Sequence, residues 1–553
     1  MIPGPKHHRQ PHNERGIALV TAVLMVLLTS VLVVTFMSTT TGERSLSSNV
    51  QTAKVSLYAA DAGVRTQQQV LANLAKMKLD SCVTNWPGAP TMVISNPANL
   101  FPSGTFSVSS TNPAFSASGT IAYSDTQITP TKQTYDYRFT IQATGNVRST
   151  GTRRVQSSGI LRVSAERGNF ADYLIFTNTH TSASSSAIWF TSSTSFDGRA
   201  HTNTTFRFAY KPTFQDLVTQ HDAQAYFYNG GSPVQLNANN NGTTDVPNLY
   251  GGFNRNQGTV PLPTNSFSQQ GAAVLASTNS GTAPSNSLIN KYITGGSNTS
   301  GGTPPNGIYL NQLSGDLGGI YVQGSLDQCK MWADTVANRQ WYQLQQGSTY
   351  RTIMVDMAAN QTQVWNSTNT AGAPANTYSD VPKGIMYVNG GISDLRGPDR
   401  SGSTVLPAIA EKTEMLITAT NDVVIQRDVT MDSYANANNV LGIYSSGGSV
   451  RIGTGAPADC NLDAYVMATG SSGEFTVDSY GSGSPRGTFH LRGGMVASYY
   501  GGFFTFNTAG VLQTGYARDF HYDRRGLIPP YFPNTNRYTA DTPTARTLAW
   551  KEI

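Results

Sequence analysis

The stretch RGIALVTAVLMVLLTSVLVVTFM, Arg15–Met37, decides how this chain is organised. It opens with an Arg-Gly step and continues from Ile17 as 21 residues without a charge, mostly Val, Leu, Ile, Ala and Met. At ~1.5 Å per residue such a run makes about 31 Å of helix, the thickness of a bilayer core. A secretory signal peptide has a shorter apolar core, roughly 7–15 residues, followed by a small-residue cleavage site. Here the run is longer and passes into STTTGERSLSSNV, Ser38–Val50, with no Ala-x-Ala step. Lys6, Arg9 and Arg15 precede it against one acid, Glu14, which places the first 16 residues on the cytoplasmic side.

Helical patterning continues past the apolar run. Leu46, Val50, Ala53, Leu57, Ala60, Val64, Leu71 and Leu74 recur at steps of three, four and seven, a heptad-like seam interrupted by Gln67. No proline occurs between Ile17 and Asp80, so a helix of about 60 residues and about 90 Å is expected. Its first half is apolar all round and its second half is amphipathic, so the second half should pack on a partner surface. Gly42 and Gly63 weaken it locally.

RGIALVTAVLMVLLTSVLVV followed by NVQTAKVSLYAADAGV resembles the N-terminus of type IV pilins, in particular the PilX-like minor pilins. The carrying features are the short basic leader ending in Gly16, the apolar helix, and the step Ala60-Asp61-Ala62-Gly63 about 40 residues on. The resemblance implies that prepilin peptidase cuts between Gly16 and Ile17 and methylates the new amino group of Ile17. The helix is then kept, first as an inner-membrane anchor and later in an extracellular pilus. It implies, as partners, major and minor pilins joined through this helix and the inner-membrane assembly machinery. Most pilins have Glu at the fifth mature position, thought to pair with a neighbour's amino terminus; here it is Thr21. Members lacking that Glu are often those proposed to sit at a tip; sequence drift explains Thr21 equally well.

Composition limits the remaining classes. Only 12% of residues are charged, while Tyr numbers 26 and aromatics make up 10%, too apolar and aromatic for a disordered chain. Losing the leader, with its three cations and one acid, would leave a net charge of +3 over 537 residues, against a broadly basic nucleic-acid binder. Cys82, Cys329 and Cys460 are odd in number and far apart, so they offer at most one disulfide and no metal spacing.

After the helix (17–80, with 17–37 spanning) the chain reads as β structure. In YDYRFTIQATGNV, Tyr135, Tyr137, Phe139 and Ile141 share one face, and Leu161 and Val163 share a face in the next run. Gly145 and Asn146 lie near the end of the first run, and Gly151 marks a turn. Residues 81–228 are therefore expected to form a pilin-like β region. Residues 229–307 carry three charges, Asp245, Arg255 and Lys291, among Asn, Gly, Ser and Pro, and read as surface loops, a linker, or irregular coils packed on a β face. From 308 to 515 short β-prone runs recur about every 24–26 residues, with Ile417, Ile443, Met467 and Gly493 at comparable places. Stacked coils of a β-solenoid and an ordinary β-sandwich both fit such a period. Residues 516–553 close the fold. The resemblance favours the solenoid, since large pilin-like proteins of DNA-uptake pili carry one grafted on a pilin sheet, and GYARDFHYDRR, Gly515–Arg525, looks like their closing segment. The expected fold is thus an α+β pilin-like base, a long helix on an antiparallel sheet, with a large mainly-β, solenoid head.

No His-Glu-x-x-His, Cys-x-x-Cys, Gly-x-Ser-x-Gly or Walker loop occurs, and neither a cofactor nor a metal is expected. His180, His201, His221, His490 and His521 are scattered. The best acid cluster, Asp394 and Asp399 with Arg400, reads as well as a turn with solvated charges as it does a glycosidase site. Binding is better supported. Arg518, Arg524 and Arg525 lie among Tyr516, Phe520, Tyr522, Tyr531 and Phe532, a mixture that grips phosphates and stacks bases. Packing of these aromatics, with the arginines paired to Asp519 and Asp523, explains the same stretch. Arg148, Arg153, Arg154 and Arg162 form a second cluster, able to meet DNA or fibre neighbours. The expected role is a minor pilin at the tip of a pilus, acting in assembly and in adhesion or DNA capture, with DNA or a surface glycan as ligand and no catalysis. The alternatives are a membrane-anchored β-helix carbohydrate enzyme and a non-pilin anchored surface protein.

Overall fold

The computed structural model describes residues 15–84, 92–101, 104–106, 114–129, 131–147, 151–229, 232–239, 246–278, 281–435, 437–507 and 511–553. Most of the expected leader, residues 1–14, lies outside them, as does Arg148. The chain forms two compact units, one comprising Met1–Glu166 with Thr539–Ile553 and the other Arg167–Tyr538.

In the first unit a single helix runs Arg15–Thr84, 70 residues. The strands Phe115–Ile128, Lys132–Val147 and Gly151–Asn169 pair antiparallel in sequence order, and the C-terminal strand Thr544–Glu552 adds antiparallel to Gly151–Asn169. Alternation decides which face is covered: Tyr135, Tyr137, Phe139, Ile141, Leu161 and Val163 are all buried. The helix meets its sheet only from Ser56 onward. Burial then recurs at Ala60, Gly63, Val64, Gln67, Leu71, Ala75 and Leu79. The heptad-like seam is corrected at both ends of its logic. Leu46 and Val50 are exposed, and Gln67 lies inside the buried line with its Nε2 donating to the carbonyl of Ala117 at 3.2 Å.

Two glycines set how closely the layers approach. A Cβ at Gly63 would lie 2.9 Å from the Phe115 ring and 3.1 Å from the Ala143 methyl. A Cβ at Gly145 would lie 1.9 Å from the carbonyl oxygen of Ser56, so strand backbone rests on helix backbone there. Gly145 lies near the end of Lys132–Val147, as its sequence suggests, and is also a contact point there.

The second unit is built mainly from parallel pairing. The residues Ile320, Met386, Ile417, Ile443, Val466, Met495, Ile175, Ala200, Val218 and Phe253 are partners in successive strands of one parallel ladder. All ten belong to one buried apolar cluster. At about 4.8 Å per strand this row is roughly 43 Å long. A second parallel ladder stacks Cys329, Leu395, Ile425, Ile452 and Val477. Along the chain, strands of the two ladders alternate from Ile320–Gln323 to Glu474–Val477, apart from an antiparallel meander over 328–378. Ile417 and Ile443 are direct partners, as their spacing suggests, but other repeats differ in length: Met467 pairs with Tyr444 and Gly493 with Ala464.

The opposite face of the first ladder is buried as well. Tyr321, Tyr387, Tyr444, Met467, Val496 and Phe176 form a second cluster with Ala272, Ala273, Ile289 and Tyr292. Those last four belong to or lie in the helices Phe267–Ala273 and Asn286–Ile293. The polar 229–307 stretch therefore includes two short helices laid on a β face.

The expected boundaries shift accordingly. Strands at Ile175–Thr179, Ala200–Thr202 and Val218–Gln220, expected in the pilin-like region, belong to the parallel ladder. They are short and mostly buried on both faces, so they lack the alternation that marks the antiparallel strands. The expected closing segment 516–553 also divides. Leu512–Tyr522 pairs parallel with Pro485–Tyr500, whereas Thr544–Glu552 completes the antiparallel sheet. The second unit is thus an insertion within the first.

Candidate functional site

Gly16 and Ile17 lie in the first turn of the long helix, and Ile17 is 72% exposed. The span Gly16–Val83 contains an 18-residue window of mean hydropathy 2.9, none of it buried. Hydroxyls inside the apolar run satisfy themselves. Thr21 Oγ1 donates to the Ile17 carbonyl at 2.8 Å and to that of Ala18 at 3.1 Å; Thr29 donates to Met25 at 2.8 Å, and Ser30 to Val26 at 2.6 Å. Bonding back to the preceding turn keeps these groups paired where no water is available. Thr21 is occupied in this way and carries no charge for a neighbour's terminus.

The first basic cluster is tied to carboxylates at the surface. Arg153 Nη1 donates to Glu552 Oε1 at 2.8 Å. Arg162 makes two bonds to Asp136, at 2.9 and 2.8 Å. The side chain of Arg154 is exposed, and its carbonyl accepts from the Ile553 amide at 3.0 Å.

In the second cluster the arginines have separate fates. Arg525 is 13% exposed and Asp523 2%. Its guanidinium bonds Asp523 at 2.7 and 3.0 Å and Asn439 Oδ1 at 2.9 Å, and lies 4.2 Å from the Tyr434 ring centroid. Burial works to raise the Asp523 carboxyl, but hydrogen bonds from Arg525 and Tyr434 outweigh it and hold the pKa below the usual range. Arg518 bonds Tyr500 and lies 5.2 Å from the Phe504 ring. Arg524 is exposed and donates to the Asp197 carbonyl. Tyr516, Phe520 and Phe532 are buried. Asp519, expected opposite an arginine, instead accepts from His490 at 2.7 Å and lies 3.1 Å from His521, which also meets Asp197 at 3.1 Å.

Two of the other histidines are core groups. Burial pushes His180 down to about 3 and His201 to about 4, so both are neutral near pH 7. The acid cluster is dispersed among cations: Asp394 pairs with Arg396, Asp399 lies 3.4 Å from Arg427, and Arg400 binds Asp428 at 2.6 and 2.8 Å. Among the described residues no group of three His, Cys, Asp or Glu side chains could hold a metal ion, and the three cysteines are free.

An apolar, exposed N-terminal helix that becomes amphipathic and lies on an antiparallel sheet defines a pilin-like chain. Its N-terminus is PilX-like: residues 15–65 match the family described as PilX N-terminal. Residues 134–222 match a domain of unknown function, DUF4900. No curated protein matches the chain. It is similar to the crystal structure of the competence-associated pilin ComZ from Thermus thermophilus, at 10% identity over 91% of this chain and 97% of that one. The TM-score between the two is 0.33.

Sequence reasoning missed one further grouping, a cleft of about 550 Å³ lined by Trp189, Tyr210, Tyr228, Phe504 and Phe506 with hydroxyl and amide groups. Its aromatics come from separate segments, so no motif announces it.

Proposed function

We propose that this chain is a minor pilin, processed between Gly16 and Ile17, whose second unit is a β-solenoid head displayed outside the cell at a pilus tip. One observation carries the reading. A continuous helix leaves its whole apolar half uncovered while its other half seats a sheet, which suits a segment held first by lipid and then by other pilin helices. The solenoid reading is supported by strands that alternate between two parallel ladders and stack one inward row. Prepilin peptidase and the assembly machinery are its partners during maturation, and no catalysis is assigned to it. Of adhesion and DNA capture, the cations favour adhesion: Arg153, Arg162 and Arg525 are already engaged by Glu552, Asp136 and Asp523. Mass spectrometry of the surface-exposed protein tests the core of this reading. A chain beginning at N-methylated Ile17, with processing blocked in Gly16→Val, is expected; an intact leader on the exposed protein overturns it.

A further inference from the structure

We propose that the cleft between Trp189, Tyr210, Tyr228 and Phe506 binds a neutral pyranose oligosaccharide. This extends the adhesion reading but stands on the cleft alone, whether or not the chain enters a pilus. At about 550 Å³ the cleft falls within the usual size of a ligand site, roughly 300–1,000 Å³. Its walls follow from what lies beneath them. Phe190 and Phe227 are buried in the core, so their chain neighbours Trp189 and Tyr228 turn outward.

Tyr210 gives an independent sign. In an extended chain it would share the inward face of Phe208, which is fully buried. Instead its φ is +63°, a left-handed conformation unfavourable for a bulky residue, and the residue is 48% exposed at the cleft. Backbone strain here presents an aromatic ring to solvent. Phe506 is likewise 49% exposed. Trp189 and Tyr228 sit edge to face at 5.7 Å, and Tyr210 lies 6.3 Å from Tyr228, so the rings form a continuous surface.

The chemistry of the lining selects the ligand. Aromatic faces accept the C–H face of a pyranose, while the hydroxyl of Ser192 and the spare capacity of the Thr191–Ser193 hydroxyl pair, 2.8 Å apart, can exchange hydrogen bonds with sugar hydroxyls. None of the described lining residues carries a charge. A nucleic-acid strand needs cations along its backbone, and an acidic glycan needs a counter-charge, so both are disfavoured. The cleft beside Trp332 differs on this point, because Lys330 lines it together with Leu406 and Pro407.

The test uses the full chain in lauryldimethylamine oxide, whose headgroup contains no sugar. Binding of cellohexaose, maltohexaose and chitohexaose is measured by Trp fluorescence and calorimetry, with hexagalacturonate and a single-stranded oligonucleotide as charged probes. At least one neutral hexasaccharide should bind, with affinity changing less than about twofold between about 50 and 500 mM salt. Trp189→Ala should weaken it about tenfold, and Trp332→Ala should leave it unchanged. Tyr210→Gly should also weaken binding about tenfold yet leave the melting temperature equal or higher, because glycine relieves the left-handed strain. That variant decides the matter if Trp189→Ala fails to fold. Binding of none of the three neutral probes, equal binding of hexagalacturonate, or binding that survives Tyr210→Gly overturns the proposal. Failure of pilus assembly in cells would sink the pilin reading and leave each of these results standing.

Discussion

The antiparallel sheet of the first unit and the parallel ladder of the second bury their side chains in different ways. In Lys132–Val147 alternate residues are covered, and polar neighbours such as Asp136 and Arg138 face away. In Val440–Ser445 every residue is buried. One-faced burial leaves an outer face for solvated ion pairs, whereas a strand covered on both faces has no such face. Ion pairs differ between the units as well: Arg162 beside Asp136 is 52% exposed, whereas Arg525, in the turn after Leu512–Tyr522 and beside Asp523, is only 13% exposed.

The comparison breaks most easily at that buried pair. Asp523→Ala strands Arg525 without its carboxylate and should destabilise the second unit by about 3–5 kcal/mol, read from urea unfolding of the full chain in detergent. Asp523 and Asp428 both have lowered pKa values in the fold. In each case burial opposes the shift and hydrogen bonds to Arg525 or Arg400 overcome it. Their stabilisation is complete above the ordinary carboxyl pKa of about 4 and disappears as pH falls through the lowered folded values. The second unit of the parent chain should therefore weaken on acidification in that window, and Asp523→Asn should flatten the dependence.

The next effect concerns the inward row. Ile443→Ala removes a fully buried side chain between Ile417 and Val466 and should cost roughly 3 kcal/mol in the same measurement. A loss below about 1 kcal/mol would mean that the row is not packed as the register requires. In the first unit, Gly145→Ala brings a Cβ against the Ser56 carbonyl and should cost about 1–3 kcal/mol, with faster amide exchange in the 56–79 half of the helix. Unchanged exchange would contradict that close approach. Asp136→Ala should have the smallest effect, about 0–1 kcal/mol, because its partner is half exposed. A loss equal to that of Asp523→Ala would erase the distinction between the two units.

What was legible in the sequence follows the same division. The covered face of Tyr135, Tyr137, Phe139 and Ile141 shows in alternation, and the apolar half of the helix shows in composition. The pairing of Met495 with Ile175 shows nowhere, because strands buried on both faces have no local period and their partners are hundreds of residues apart. Thr544–Glu552 is mostly exposed, so it offers no apolar pattern to place it beside Gly151–Asn169. Gly63 and Gly145 read locally as a weak point in a helix and the end of a strand; their meaning lies in what touches them. For the arginines near the C-terminus, the sequence supports both phosphate binding and pairing with acids. Burial, which the local pattern does not encode, separates Arg525 from Arg524. The aromatic cleft was the least legible, since its rings converge from 189, 210, 228 and 504–506.

The insertion of the second unit has a mechanical side. Gly151–Asn169 and Thr544–Glu552 are antiparallel neighbours, so the chain leaves the sheet and re-enters it at the same end. Within the inserted unit the two passages stay paired, with the Phe170 amide donating to the Pro533 carbonyl at 3.3 Å and Asn169 Nδ2 donating to Asn534 Oδ1 at 2.8 Å. A tensile load applied to the head is therefore divided between two covalent strands pulled in one direction. The hydrogen bonds joining them are spared shear, and the resisting contacts are those each strand makes with the rest of its sheet and with the helix. A head appended at one terminus would hang on a single peptide; this one is held like the bight of a rope.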